Sequence, residues 1–411
     1  MVAALAAAAA TTGVTLAGFA ATTGSTGNTF ATAESFSSCQ GTSITAAYLT
    51  GFEFGRRPFH SRNMAIIAPA NVDSTLKRSG NWSMKLAPAG ASQYAAWTNT
   101  LNTTATSQVA RFALHLDALP SADVNQLFGM SSAGGLSLRY TAASKKLSVA
   151  IKPTAAGTPV VATSDVVMEA GRWYSIEVRY RVAAPTHIAD WRIDGSPQPS
   201  ASVAAASSVT HTTTLGTGTS FTDTYTAHYD DVVISADSTV YPLGDGQIYG
   251  LKPNGMGTSV GTAGVIKDND GTELDSTSWA RLDEVPMQST TDYIEQTVAN
   301  TSAYAEIALE DTTETCIRAA HGYFTTHSPA STKANHVKIA VVDGTHESIL
   351  LNGSSLANST APRDDSAPVT PASAWSTAAL NGLVVRFGYS SSVANGAPNL
   401  DGVMVEYEVQ R

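Results

Sequence analysis

The feature that most constrains this chain is a strict alternation of apolar and polar residues in short runs separated by turn formers. From Ser175 to Val182, Ile176, Val178, Tyr180 and Val182 fall on one parity and Ser175, Glu177, Arg179 and Arg181 on the other. On a strand the two parities point to opposite faces, so the segment suits a sheet with one covered and one wet side. Comparable strands are predicted at 83–86, 109–116, 126–130, 136–140, 145–151, 188–193 and 229–235. Turn formers lie between them, such as Ala133-Gly134-Gly135, Glu169-Ala170-Gly171 and Asp194-Gly195. Many short strands without helical periodicity between them indicate an all-β sandwich.

With 411 residues, the chain exceeds the size at which a single core usually stops growing, about 250 to 300 residues. The reading is a terminal segment over 1–50, a first β domain over 51–244 and a second β-sandwich over 245–411. In the second, strands are expected at 247–251, 279–285, 293–298, 304–309, 315–324, 336–342, 383–389 and 403–409. The last places Val403, Val405, Tyr407 and Val409 on a covered face and Met404, Glu406 and Glu408 on the other, where the carboxylates are expected to be solvated. The stretch 352–374 carries Pro362, Pro368 and Pro371 and reads as a long surface loop, because proline donates no ladder hydrogen bond.

Charge narrows the partners. Charged residues make up only 14% of the chain and the formal net charge is −10, so the molecular field repels polyanions and nucleic acid is not an expected partner. Arg56, Arg57 and Arg62 read as a solvated loop. The two cysteines, Cys39 and Cys316, are too few for a disulfide scaffold and lack zinc-site spacing. They are either separate thiols or, in an oxidising compartment, a single bridge from the N-terminal arm to the second domain.

Residues 1–21 are small and apolar, with no Lys or Arg before Arg56. They supply the apolar region and small-residue cleavage site of an export signal without its basic start. The stretch that follows, with Thr26-Gly27-Asn28-Thr29-Phe30, resembles exported proteins handled by SipW-type signal peptidases. That resemblance implies a secreted, cell-surface or virion-surface location. A flexible Thr/Gly-rich arm is the alternative.

Four motifs in order carry a second resemblance. They are Arg78-Ser79-Gly80-Asn81-Trp82-Ser83-Met84-Lys85-Leu86; Gly135 to Tyr140 followed by Lys146 to Val149; Gly171-Arg172-Trp173-Tyr174 leading to Trp191-Arg192-Ile193-Asp194-Gly195; and Tyr229-Asp230-Asp231-Val232-Val233-Ile234. Together they make the segment from Gly51 to about Leu243 similar to the concanavalin A-like, LamG-type jelly roll of lectins and laminin G modules. The resemblance implies a polysaccharide or cell-surface glycan as partner. In some members an acidic residue holds calcium, which would fall on Asp230 or Asp231, although paired aspartates at a strand start usually accept backbone N–H groups. Calcium is the one cofactor the sequence raises. Asp268, Asp270 and Asp275 partly imitate a calcium loop, and an Asp/Gly-rich turn explains them equally well.

Catalytic constellations are weak. The E-x-D-x-E spacing of two-carboxylate glycosidases is missing from the first domain, and Glu306 with Glu310 lacks the middle acid. No G-x-S-x-G elbow occurs, and His321 and His327 read as ordinary polar positions. The sequence therefore points to a non-catalytic structural or adhesive protein. Tyr94, Trp97, Tyr225 and His228 are the candidate ligand-binding residues, lying near expected strand ends where aromatic faces can stack on sugar rings. Two other classes stay open: a polysaccharide-degrading enzyme on the same fold, and a filament or capsid-type subunit that self-assembles by strand exchange of its arm.

Overall fold

The computed structural model describes residues 43–411 apart from 45, 56–63, 68–70, 91–92, 99–106, 131–134, 154–156, 184, 205–211, 219–220, 262, 286–291, 299, 328–334, 357–362 and 391–397. The export-like segment, Cys39 and the Arg56, Arg57, Arg62 group lie outside the described residues.

The first sixteen strands are β1 (Tyr48–Thr50), β2 (Met64–Ile67), β3 (Asn71–Asp73), β4 (Ser83–Leu86), β5 (Gln93–Thr98), β6 (Ser107–Leu116), β7 (Val124–Met130), β8 (Leu136–Thr141), β9 (Lys146–Ile151), β10 (Val160–Val167), β11 (Trp173–Ala183), β12 (Thr186–Ile193), β13 (Ser196–Pro197), β14 (Ala201–Ala204), β15 (Thr212–Thr217) and β16 (Ala227–Ser235). Nine of them form one sheet, ordered β13-β12-β11-β6-β16-β4-β3, with β1 also on β16 and β14 also on β12. The other seven are ordered β10-β9-β8-β7-β15-β5-β2.

These sheets stack over one core. Ala110, Phe112, Leu114 and Leu116 of β6 point into it, as do Ile176, Val178, Tyr180 and Val182 of β11, the parity that alternation assigned to the covered side. Phe112 stacks on Phe128 of β7 with ring centroids 4.8 Å apart, joining the two sheets. The protein is an all-β structure of antiparallel sandwiches.

A second pair of sheets follows from β17 (Gly246–Leu251), β18 (Pro253–Met256), β19 (Ile266–Asp268), β20 (Ile294–Gln296), β21 (Tyr304–Leu309), β22 (Ile317–His327), β23 (Asn335–Asp343), β24 (His346–Leu356), β25 (Arg363–Val369), β26 (Leu383–Tyr389) and β27 (Asn399–Gln410). The orders are β19-β20-β27-β22-β25, with β17 also on β27, and β18-β21-β26-β23-β24. Val403, Val405, Tyr407 and Val409 enter this second core together with Phe324, Ile339 and Phe387.

Expectations about one strand, one loop, one strand face and one histidine change here. The strand expected at 279–285 is instead a 3₁₀ turn, Ser278–Arg281. Asp275 caps Thr277 locally at 2.7 Å, and Leu282 is spent on packing the turn against the core. The expected loop at 352–374 contains the end of β24 and all of β25. Pro368 is tolerated because β25 pairs only with β22 and forms the edge of its sheet.

The third change is the largest. Met404, Glu406 and Glu408 are buried, both carboxylates at 0% exposure. The first sandwich covers the face that alternation marked as polar. Met404 joins the first core. Glu406 accepts the backbone N–H groups of Gly51 at 3.1 Å and Glu53 at 2.7 Å. Glu408 pairs with the Arg111 guanidinium of β6 and lies 3.8 Å from that of Arg318. Arg318 in turn donates to the Leu243 carbonyl at 2.5 Å, and Tyr323 donates to that of Leu49. Ile44, Leu49, Val109, Val233, Leu243, Ile248 and Ala319 form a small apolar cluster within the same seam.

His321 is also in the seam, not at an ordinary polar position. Its ring lies 5.4 Å from that of Tyr48 and 5.2 Å from that of Tyr323, and neither nitrogen has a hydrogen-bond partner among the described residues. His327 bonds the buried Asp401 at 2.5 Å, and its second nitrogen lies 2.9 Å from the Asn399 amide.

The seam makes stability depend on pH. Burial, aided by the nearby Glu53 charge, pushes Glu406 up to about 8 against the pull of its Thr50, Gly51 and Glu53 donors. The folded protein keeps this proton where the unfolded chain has lost it. The stabilisation is complete below about 4.5 and is lost as pH rises through about 8, at about 1.4 kcal/mol per pH unit for one group. In Glu406→Gln, urea unfolding between pH 5 and 8 is expected to show a shallower loss of stability. An unchanged slope would show that Glu406 is ionised in place. Burial pulls His321 down to about 3, so its contribution has the opposite sign, and stability is lost as pH falls below the usual imidazole value. His321→Leu removes two unpaired buried nitrogens and is expected to raise stability by about 1–2 kcal/mol, read as a higher urea midpoint. A lower midpoint would mean that the imidazole is satisfied in solution.

Candidate functional site

The outer face of the nine-stranded sheet carries the side chains that β6, β11, β16 and β4 do not send into the core. Register places Trp173, His115, His228 and Lys85 opposite one another across these strands. Ser175, Ala113 and Asp230 form the next row. The seam covers the far end of this face, where Arg111 meets Glu408.

At the near end, one Asp117 carboxylate oxygen lies 3.2 Å from His115 Nδ1 and 3.3 Å from His228 Nε2. Ser83 Oγ lies 3.2 Å from His228 Nδ1. Burial holds the His228 imidazole below its usual range, against the pull of Asp117 and Asp73. The His115 ring lies 5.2 Å from the Trp173 ring and backs it.

Beside Trp173 opens a cleft of about 330 Å³ lined by Arg78, Arg172, Trp173, Ser175, Asp194, Gly195 and Asp245. The local fold explains why these residues meet. The Asp194-Gly195 turn after β12 has positive φ at both residues, 47° and 75°, the backbone that tight hairpin turns need. It brings Asp194 over the start of β11, where its carboxylate accepts the Ser175 N–H at 2.8 Å and the Arg172 guanidinium at 2.8 Å. On the opposite wall, Arg78 donates to Asp231 at 2.8 Å, Asp245 at 2.5 Å and the Gly246 carbonyl at 3.0 Å. Burial pulls Arg78 down, but Asp231 and Asp245 outweigh it and hold the guanidinium above its ordinary value. The cleft thus offers an indole backed by His115, together with two guanidinium groups and two carboxylates held in ion pairs. Such a set can stack on an apolar ring face and exchange hydrogen bonds with surrounding hydroxyl groups.

The four residues singled out from sequence do not converge. Tyr94, on β5 of the seven-stranded sheet, is half-buried and lies opposite Gly216 and Ile67. Trp97 is on the same strand, opposite Thr213 and Met64. Tyr225 is buried, its hydroxyl donating to Gln126 O at 3.4 Å and lying 3.0 Å from Thr217 Oγ1. His228 does not line the cleft; its ring lies 6.0 Å from that of His115, and it is 1% exposed. The residues sequence reasoning passed over are Arg78, Arg172, Trp173, Asp194 and Asp245, although all but Asp245 stand in the quoted motifs.

The aspartates raised as calcium ligands are otherwise engaged. Asp230 accepts the N–H groups of Arg78 and Ser79, at 2.8 and 3.3 Å. Asp231 accepts from Ser79 and from the Ile248 N–H. Both are 0% exposed, so the pair accepts backbone donors as expected but is not solvated. Asp270 and Asp275 cap Thr272 and Thr277, and Asp268 accepts from Ser278 at 3.1 Å. Among the described residues no group of three or more His, Cys, Asp or Glu side chains is placed to hold a metal ion. Glu306 bonds Arg386 at 2.7 Å and Glu310 accepts the Lys252 N–H at 3.2 Å.

No family model matches the chain, and no curated protein matches it. Solved structures do. The cellulose induced protein Cip1 is 16% identical with a TM-score of 0.36, over 46% of this chain and 97% of that one. The endo-1,3-beta-glucanase from Streptomyces sioyaensis is 13% identical with a TM-score of 0.33, over 46% and 95%. Trypanosoma rangeli sialidase is 15% identical with a TM-score of 0.30, over 41% of this chain and 27% of that one.

Proposed function

We propose that this protein is a non-catalytic extracellular or virion-surface structural and adhesive protein that binds glycan through the Trp173 cleft. The observation that carries the reading is the cleft itself: a half-exposed indole flanked by Arg172, Asp194, Arg78 and Asp245, with each carboxylate tied to an arginine. Rings bearing several hydroxyl groups match such fixed donors and acceptors around an aromatic face. Residence outside the cytosol is supported by the disulfide at Cys316 and by the export-like start of the chain. Self-assembly through the arm before Gly51 belongs to the same reading of a structural role.

Screening the protein and its Trp173→Ala variant on a glycan array tests the proposal. Binding to oligosaccharides is expected, with the variant weaker by about tenfold or more, as for an aromatic anchor, and with an unchanged melting temperature. Loss of stability without loss of binding, or no bound glycan at all, would count against it. Incubation with polysaccharides is expected to release no new reducing ends, and their appearance would replace the adhesive reading by the hydrolase one.

A further inference from the structure

The 74–82 loop has a second cleft on its other side, of about 400 Å³, where Glu53, Lys77, Asn81, Trp82, Lys252 and Met404 meet at the seam of the two sandwiches. We infer that this cleft is a separate binding site for an acidic saccharide, one whose ring carries a carboxylate or sulfate. The inference shares with the proposed function only the premise that the ligand is a sugar.

Its floor is closely packed at a glycine, against which Met404 and Glu53 rest. A Cβ at Gly250 would come within 2.8 Å of Met404 Sδ and 2.9 Å of the Glu53 Cβ. Trp82 is half-buried, packing against the first core while still lining the cleft. Lys77 is exposed, and its ammonium donates only to the Ser74 carbonyl at 3.2 Å among the described residues. Lys252 is half-exposed, and among the described residues its ammonium has neither an ion pair nor a hydrogen bond. On a chain of net charge −10, two ammonium groups in one cleft with no ion pair among the described residues mark the place where an anionic ligand is attracted instead of repelled.

The acid in the cleft is turned away. Both Glu53 oxygens accept the Asn81 N–H, at 2.9 and 2.8 Å, one takes the Trp82 N–H at 3.1 Å and the other the Asn81 amide at 3.1 Å. Burial pushes its carboxyl up to about 7, against these donors and with help from Asp231. The charges coupled to it are those of Asp231 and Glu406, while Lys77 and Lys252 line the same cleft. Below neutral pH Glu53 carries its proton and its charge no longer opposes the lysines. Anion affinity therefore rises as pH falls.

Calorimetry on the full chain tests this with a galacturonic acid hexamer, the same hexamer methyl-esterified, and sodium sulfate. The acidic hexamer is expected to bind at least tenfold more tightly than the ester. Lys77→Ala with Lys252→Ala should remove that preference while leaving Trp173-dependent binding of neutral glycans intact. Affinity should fall several-fold from pH 5.5 to 8.0, and Glu53→Gln should flatten that change. Equal binding of acid and ester, or insensitivity to the lysine pair, would overturn the inference while the Trp173 cleft stood. Loss of acidic binding in Trp173→Ala would place the ligand in the other cleft and overturn it as well. Sulfate binding as tightly as the hexamer would remove the saccharide from the claim.

Discussion

Everything that distinguishes this protein from a bare pair of sandwiches depends on the polar face of β27 being buried. An arginine and a glutamate from different sandwiches, Arg111 and Glu408, meet at 0% side-chain exposure. Glu177 accepts the Leu243 and Gly244 N–H groups at 2.8 and 3.0 Å, and burial raises its carboxyl against those donors and the Arg111 charge. Withdrawing such groups from water costs several kcal/mol per ion, and mutual attraction returns it only when the geometry is good. Arg111 Nε, Arg318 Nε and Glu408 Oε2 have no hydrogen-bond partner among the described residues, so the network is not one that maximises stability. What it supplies is register. A shift of one sandwich against the other would leave a buried guanidinium or carboxylate alone, at about 3–5 kcal/mol, whereas a purely apolar seam would tolerate sliding.

That constraint explains where sequence reading succeeds and where it stops. Alternation reports which residues share a face, and it identified the covered parity of β11 and β27 correctly because the core-facing residues are apolar. It cannot report what covers the other face. Glu406 and Glu408 look solvated from sequence because the partners that bury them, Gly51, Glu53 and Arg111, are about 300 residues or more away along the chain. The Thr-rich β15 and the mixed β10 were passed over because their alternation is weak, and the apolar residues near Trp279 fit a turn packed on a core as readily as a strand.

The candidate site was hidden for a related reason. Its signals were on view as fold signals: Trp173 within the Gly171-Arg172-Trp173-Tyr174 motif, Asp194-Gly195 as a turn former, Arg78 as the start of a strand motif. Joining them requires knowing that β11 lies beside β6 and β12, and that the 74–82 loop reaches the start of β17, which strand alternation does not encode. Tyr225 was attractive as an aromatic near a strand end, but Tyr and His in such places are also well suited to closing a core, which is what its hydroxyl bond to Gln126 does.

Both clefts finally rest on one loop, and the loop rests on the seam. Arg78 and Ser79 are fixed by Asp230, Asp231, Gly246 and Ile248, while Asn81 and Trp82 are fixed by Glu53, whose own N–H is held by Glu406 of β27. Gly80 lies between these two anchor points with φ of +55°, and a Cβ there would fall 2.2 Å from a Glu53 oxygen. Only glycine accepts both the backbone and the contact. The loop therefore has little freedom to move independently of the two sandwiches it joins. A binding group supported in this way is positioned before the ligand arrives, which lowers the ordering cost of binding. The expensive buried charges of the seam are thus placed where they hold the walls of both clefts.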